Sequence, residues 1–273
     1  MKLFPPHLCD FYKTGHIFQY PEGITQVYSN LTPRSASHFT TNKDGFDDKA
    51  VFLGLQGVIK WFLQDLWNKN FFQQPLHEVM SKYKSRMDSS LGPGMNLDHI
   101  KALWHLGYLP IEIMALPEGT KVPMRVPMLT IKNTEPEFYW IVNYLETALS
   151  AALWKTSTVA TVAHQLRKLA DEYAEKTSSQ LWFVDWCMHD FSFRGMSGIH
   201  DASSSNIGHL LSFSGTDTIP AIDYLENYYG FSKDLVFGSI PASEHSTVTY
   251  NILNIKEELE ANGEWNGIRM EDL

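Results

Sequence analysis

The sequence predicts a mixed α/β chain in two parts: an α+β N-terminal domain over residues 1–180 and, over 181–273, βα units around a parallel sheet or barrel. Three observations predict it. Amphipathic helical runs around one alternating strand–turn–strand segment fill the first two-thirds. From residue 181 short apolar runs alternate with helical ones, the pattern of βα units. Finally, His189-Asp190, Thr216-Asp217 and Glu244-His245 each follow a predicted strand, at steps of 27 and 28 residues. That is close to the ~30 residues per unit of an eight-unit barrel.

Taken in order, Ile24 to Ser29 reads as a short strand, and Ala50 to Asn68 as a helix with Val51, Leu55, Ile59, Phe62 and Leu66 on one face. Asn96 to Leu106 reads as a helix with an N-cap and Gly107 behind it. Residues 110–116 alternate like a strand, 117–120 turn, and Val126 to Ile131 is the expected antiparallel partner. Thr134-Glu135-Pro136-Glu137 has the form of a capping box opening a helix to about Leu153, with a second helix from Ser157 to Glu175. Beyond 181, Trp182 to Cys187 is expected as a buried strand and Ser203 to Leu211 as a helix, with a strand ending near Phe213. Thr218 to Tyr229 is expected as a helix closed by Gly230, and Leu235 to Ile240 as a strand.

Of 273 residues, 44% are hydrophobic and 19% charged, ordinary for a globular chain with a large core. A formal charge of −9 argues against nucleic acid or an anionic membrane as the main partner, since both reward a basic stripe. It leaves room for a small anionic substrate held by a few local cations. Two cysteines, Cys9 and Cys187, make no disulfide framework or zinc-type spacing. The N-terminus lacks the apolar core of a signal peptide, and Phe138 to Trp154 is interrupted by Asn143, Glu146 and Thr147, so no membrane span is expected. The expectation is a reduced, cytoplasmic protein.

The chemistry concentrates in three segments. His189-Asp190-Phe191-Ser192-Phe193-Arg194-Gly195 sets an aromatic, a cation and an acid within reach of a flat ring carrying a phosphate. The plainer alternative is a strand end whose Phe residues fill the core while Arg194 pairs with Asp190. Gly215-Thr216-Asp217-Thr218 offers a buried carboxylate for a ligand amide, or simply a cap for the next helix. Pro241 to Thr247 offers His245 beside Glu244 and two hydroxyls, a nucleophile or a surface histidine. A metal phosphohydrolase would need His189-Asp190, His200-Asp201, His209 and His245 to converge, which the spacing does not demand. No metal ligand is assigned. There is no Gly-rich phosphate loop and no nucleophile elbow.

Together these segments resemble the nicotinamide phosphoribosyltransferase family. The resemblance runs through Asp10-Phe11-Tyr12-Lys13, Gln19-Tyr20-Pro21, residues 51–56 (VFLGLQ), residues 109–113 (LPIEI), Val122-Pro123, residues 135–140 (EPEFYW) and Leu145-Glu146-Thr147. Its strongest part is the trio HDFSFRG, GTDT and EHST in order. The resemblance implies a type II phosphoribosyltransferase barrel and the conversion of nicotinamide and phosphoribosyl pyrophosphate to nicotinamide mononucleotide and pyrophosphate. Phe191 is similar to the aromatic stacking one face of nicotinamide. Tyr12 is similar to its partner on the other face, supplied by the second subunit of a homodimer, with Asp10 beside it among the substrate-binding residues. Asp217 is similar to the acceptor for the carboxamide, Arg194 and Arg34 to phosphate ligands, and His245 to a histidine transiently phosphorylated by ATP. Mg²⁺ is implied with pyrophosphate, its ligands mostly outside this chain.

The family runs to nearly twice this length. The 93 residues from 181 onward would make about three units of ~30, where closure needs about eight. The expectation is a chain that needs a complementing C-terminal chain for solubility or activity. A non-catalytic remnant or regulatory subunit is the alternative, and a nicotinate-specific relative is disfavoured by Asp217.

Overall fold

A computed structural model describes residues 3–37, 47–232, 237–269 and 271. They form two compact units, residues 1–238 and 239–273. The boundary expected at 180/181 lies inside the first.

In the first unit, strand β1 (Tyr28–Leu31) and strand β2 (Lys49–Val51) precede helix α1 (Leu55–Val58), which continues as wider π-helical turns over Ile59–Leu66 and Asn68–Phe72. The sequence expects one regular helix from Ala50. Its first residues instead extend as β2, because Gly54 takes φ +108 and breaks the strand from the helix. Helices α2 (Leu76–Leu91) and α3 (Asp98–Leu106) follow. Gly107, at φ +82, donates to Leu103 and closes α3 as its sequence predicts, but the N-cap is Leu97 without a side-chain cap, and Asn96 just before it accepts from the Asp98 amide through Oδ1. Strand β3 (Ile111–Ala115) pairs antiparallel with β5 (Leu129–Asn133), Ile113 opposite Ile131, and β5 pairs with β1 on its other side. Strand β4 (Lys121–Pro123) pairs with β2.

Helix α4 is the largest departure from expectation. One helix, Ile141–Thr177, stands where two were expected, and Thr134 to Glu137 forms no capping box. The polar stretch around Ser157 is no boundary, because its hydroxyls have partners inside the fold. Ser157 Oγ donates to Leu53 O (3.0 Å) and accepts from the Leu53 amide (3.2 Å), while Thr161 Oγ1 accepts from the Val51 amide (2.8 Å). The backbone after β2 thus finds on α4 the hydrogen bonds that a buried chain requires.

Residues 182–187 also differ. Instead of a strand they contain the short helix α5 (Val184–Cys187), with Val184 buried and Trp182 and Trp186 exposed. The strand β6 comes next, His189–Asp190, followed by α6 (Ile199–Leu210), β7 (Gly215–Thr216) and α7 (Ile219–Tyr229), closed by Gly230 at φ +69. Strands β6 and β7 are parallel, and Gly238 bridges β7 in parallel on the far side. Of the expected strand Leu235 to Ile240, Leu235 and Val236 lie outside the described residues. Among the described residues no closed barrel forms.

The main core lies between the three-stranded sheet, α1 to α3 and the first half of α4, around Phe52, Trp67, Phe71, Tyr83 and Leu103. A smaller one joins Val51, Leu53 and Ala160 to Ile207, Leu210, Ala221 and Tyr224. Helix α6 reaches α4 through Gly208, where a Cβ would stand 2.6 Å from the Ala160 amide nitrogen. No helix among the described residues is long and apolar enough to cross a membrane.

The second unit is helix α8 (His245–Asn262), ended by Gly263, with a hairpin of β8 (Glu264–Trp265) and β9 (Ile268–Arg269). Asn266 and Gly267 both take positive φ at its turn, the pairing a tight two-residue hairpin needs.

Candidate functional site

The ends of β6 and β7 carry a hydrogen-bonded polar cluster. Asp190 is 7% exposed and forms its centre. Its Oδ1 accepts from the Ser192 amide (2.9 Å) and Ser192 Oγ (2.5 Å), and its Oδ2 from Thr216 Oγ1 (3.2 Å). Burial alone would raise its pKa. The Ser192 and Thr218 hydrogen bonds and the nearby His209 outweigh that and hold the carboxyl below its ordinary value. Arg194 is exposed and does not pair with it; the partners of Asp190 are hydroxyls and an amide. Thr216 Oγ1 also accepts from the Thr218 amide (2.9 Å), and Asn206 on α6 donates to Thr218 Oγ1 (3.3 Å). This net fixes two strand ends and two helices relative to one another.

On that frame stand the predicted ligand groups. The Asp217 amide donates to Asp190 O (2.9 Å), and its carboxylate meets His189 Nε2 at 2.7 Å. The expectation of a buried carboxylate is corrected here: the Asp217 side chain is 45% exposed, and the buried acid is Asp190. Nor does Asp217 cap α7, whose N-cap is Thr218 without a side-chain cap. The His189 ring lies 4.5 Å from that of Phe191, tilted 37°, and Phe191 is 67% exposed. The alternative of a core-filling Phe therefore fails at this position. His189, not assigned a role by the sequence, is what joins Phe191 to Asp217. Its ring fits because residue 215 is glycine, where a Cβ would stand 2.7 Å from Nδ1.

The remaining residues lie elsewhere. Tyr12, on the 3-10 helix Phe11–Phe18, is 62% exposed and meets His16, with ring centroids 5.1 Å apart. Asp10 just before it accepts from Thr147 Oγ1 on α4 (2.6 Å). Arg34 is exposed after β1. In the second unit His245 is exposed at the first turn of α8, and Glu244 is its N-cap, accepting from the Ser246 amide (2.9 Å). Hydrogen bonds from Ser246 hold the Glu244 carboxyl below its ordinary pKa. The carboxylate flanking His245 is therefore engaged as a cap. His200 packs on Trp61 (4.2 Å) and Asp201 on Lys155 (2.5 Å). Among the described residues no three His, Cys, Asp or Glu side chains gather to hold a metal ion.

Comparison with known proteins fits this arrangement of motifs. The chain is 53% identical over 248 residues to nicotinamide phosphoribosyltransferase of Acinetobacter baylyi, covering 90% of this chain and 49% of that protein. It is a homologue of the nicotinamide phosphoribosyltransferases. The Xanthomonas campestris nicotinamide phosphoribosyltransferase is 31% identical over 244 residues, covering 88% of this chain and 47% of its own length. The chain thus spans about half the length of the nicotinamide phosphoribosyltransferases it matches. Among solved structures, human nicotinic acid phosphoribosyltransferase superposes with a TM-score of 0.60 at 20% identity, over 88% of this chain and 40% of that one, a likeness of fold. No protein-family model matches the chain.

Proposed function

We propose that this chain carries the nicotinamide-binding part of a cytoplasmic nicotinamide phosphoribosyltransferase in NAD salvage, its segment from 181 opening a type II phosphoribosyltransferase barrel. One observation carries the reading: an exposed aromatic face and a carboxylate, Phe191 and Asp217, are tied through His189 at the ends of adjacent parallel strands. Such a site grips a flat ring and reads a polar substituent on it. A carboxylate accepts from a carboxamide NH₂ and repels a second carboxylate, so nicotinamide is favoured over nicotinate.

Phe191 has His189 on one side and is otherwise open, and Tyr12 is equally exposed. Two uncovered rings on one chain suit a homodimer in which Tyr12 of one copy closes the ring sandwich of the other. Nicotinamide held there presents its pyridine nitrogen to the anomeric carbon of phosphoribosyl pyrophosphate. The nitrogen's lone pair forms the new C–N bond as the C–O bond to pyrophosphate breaks, and pyrophosphate leaves with that electron pair. The transition state resembles an oxocarbenium ion, so the protein supplies positioning and electrostatics rather than a base. Arg194 and Arg34 meet phosphate. His245, exposed at the start of α8, takes the phosphoryl group of ATP. Among the described residues no three His, Cys, Asp or Glu side chains gather to hold Mg²⁺.

The test is calorimetric titration with nicotinamide mononucleotide of the wild-type chain, supplemented where needed with a chain homologous to the second half of its relatives. Phe191→Ala should weaken binding on the order of tenfold. Equal affinities would overturn the pocket. Asp217→Asn should narrow the preference for the amide over the acid, and unchanged selectivity would remove Asp217 from that role.

A further inference from the structure

A cavity of about 830 Å³ lies away from the strand ends, between β1, β5 and the first half of α4 in the first unit. Its floor is apolar, with Leu129, Ile131, Val142 and Leu153, and Trp154 stands half-exposed at its wall. Two cations line it, Arg34 and Arg125. They come from distant parts of the sequence and are fastened side by side: the Arg125 amide donates to Pro33 O (2.8 Å), the residue before Arg34, and the Met128 amide donates to Leu31 O (2.8 Å).

Three features single the pair out. Among the described residues neither guanidinium has a carboxylate within 4 Å. The acid on the cavity wall, Glu146, is already paired with Lys13. In a chain of net charge −9, two uncompensated arginines on one wall are a local exception. Moreover Arg125 sits at φ +67, a left-handed backbone that residues with a Cβ seldom adopt and that glycine takes freely. An arginine at such a position is accounted for by what its side chain does there.

We infer that Arg34 and Arg125 form one oxyanion site of the phosphate class, with Arg125 a second cation beside the residue already read as a phosphate ligand. The inference deepens the proposed function and rests on it for the phosphate's origin in a phosphoribosyl substrate or product. Paired guanidiniums suit this chemistry because each presents planar N–H forks to phosphate oxygens.

The probe is inorganic pyrophosphate, titrated calorimetrically at low and moderate salt. The backbone at φ +67 makes Arg125→Gly a clean variant: it removes the charge while easing the local conformation, so its thermal midpoint should equal or exceed that of wild type. Pyrophosphate binding should fall on the order of tenfold in Arg125→Gly and in Arg34→Ala. The double variant should lose little beyond either single one, and Arg125→Lys should keep part of the affinity. Wild-type affinity in Arg125→Gly, or no binding by the wild type, overturns the site. So does a change in oligomeric state on sedimentation with pyrophosphate binding intact, which would give the arginines to a subunit contact instead. Nicotinamide mononucleotide binding and its sensitivity to Phe191→Ala are measured in the same samples. If the Phe191 effect persists while pyrophosphate binding ignores both arginines, this site fails and the nicotinamide pocket stands; the reverse result fails the pocket alone.

Discussion

The two cores of the first unit spend their aromatic residues differently. Around α1 to α3 the rings are sealed: Phe52, Phe71 and Tyr83 are wholly buried and Trp67 nearly so. Beyond residue 180 Phe213 and Tyr224 are buried, but Trp182, Trp186, Phe191 and Phe193 face outward and are all exposed. Sealed rings contribute stability in proportion to the area taken from water. Exposed rings contribute little to folding and remain available to a ligand or another protein surface. The first region is thus the foundation, and the second holds its exposed rings on a frame of buried hydrogen bonds centred on Asp190.

That contrast can be tested by substitution. The largest effect is expected in the sealed region: Phe71→Ala should cost about 3–5 kcal/mol in denaturant unfolding, and a loss under 1 kcal/mol would show that this core collapses around the gap. Next come the joints between the regions. Gly208→Ala puts a methyl against α4 backbone, 2.6 Å from Ala160 N and 2.8 Å from Thr156 O, neither of which can yield as a flexible side chain would. The expected cost is about 1–3 kcal/mol, read by the same measurement.

A pH effect of comparable size should also come from the sealed side. Burial lowers the His99 pKa from 6.5 to about 4, against the opposing influence of Asp98. Below 6.5 the unfolded chain takes up a proton that the folded chain refuses. The stabilisation is therefore complete above 6.5 and is lost as pH falls toward 4, on the order of 2–3 kcal/mol. His99→Phe, which keeps a ring against Trp140 and Phe18, should flatten the dependence of unfolding free energy on pH in that window. An unchanged slope would remove His99 as its source. The smallest stability effect belongs to the open region: Phe191→Ala should change unfolding free energy by less than about 0.5 kcal/mol while weakening nicotinamide mononucleotide binding. A large loss of stability would make Phe191 a packing residue and erase the contrast.

Much of this was legible from local signals. Gly107 and Gly230 end helices where predicted, and β3 pairs with β5 as the alternation at 110–116 implies. The polar clusters are expected just after strands, but His189-Asp190 forms β6 itself and Thr216 ends β7, so the spacing marks strands and not only the loops behind them. What periodicity could not reveal was set by partners distant in sequence. The residues just before Ser157 read as a helix boundary, because the sequence does not show that Leu53, just after β2, partners the Ser157 hydroxyl. Trp182 to Cys187 reads as a buried strand because hydropathy does not report that both indoles stay exposed. Asn266-Gly267 is a strong local hairpin signal, but its strands are too short for periodicity to register. Motif alone points to Phe191 and Asp217, while the place of His189 between them depends on Gly215, whose missing Cβ leaves room for its ring.

The unbroken run of α4 has a mechanical consequence. Its 37 residues extend about 55 Å at 1.5 Å per residue, touching the sheet near one end and α6 further along. A rod of that length acts as a lever: tilting it by about 1° about one end displaces the other by about 1 Å. Movement of α6 would therefore be felt at Val51 of β2 and at Leu53 just after it, through the Thr161 and Ser157 bonds, so the strand ends and the sheet would be expected to shift together or hardly at all.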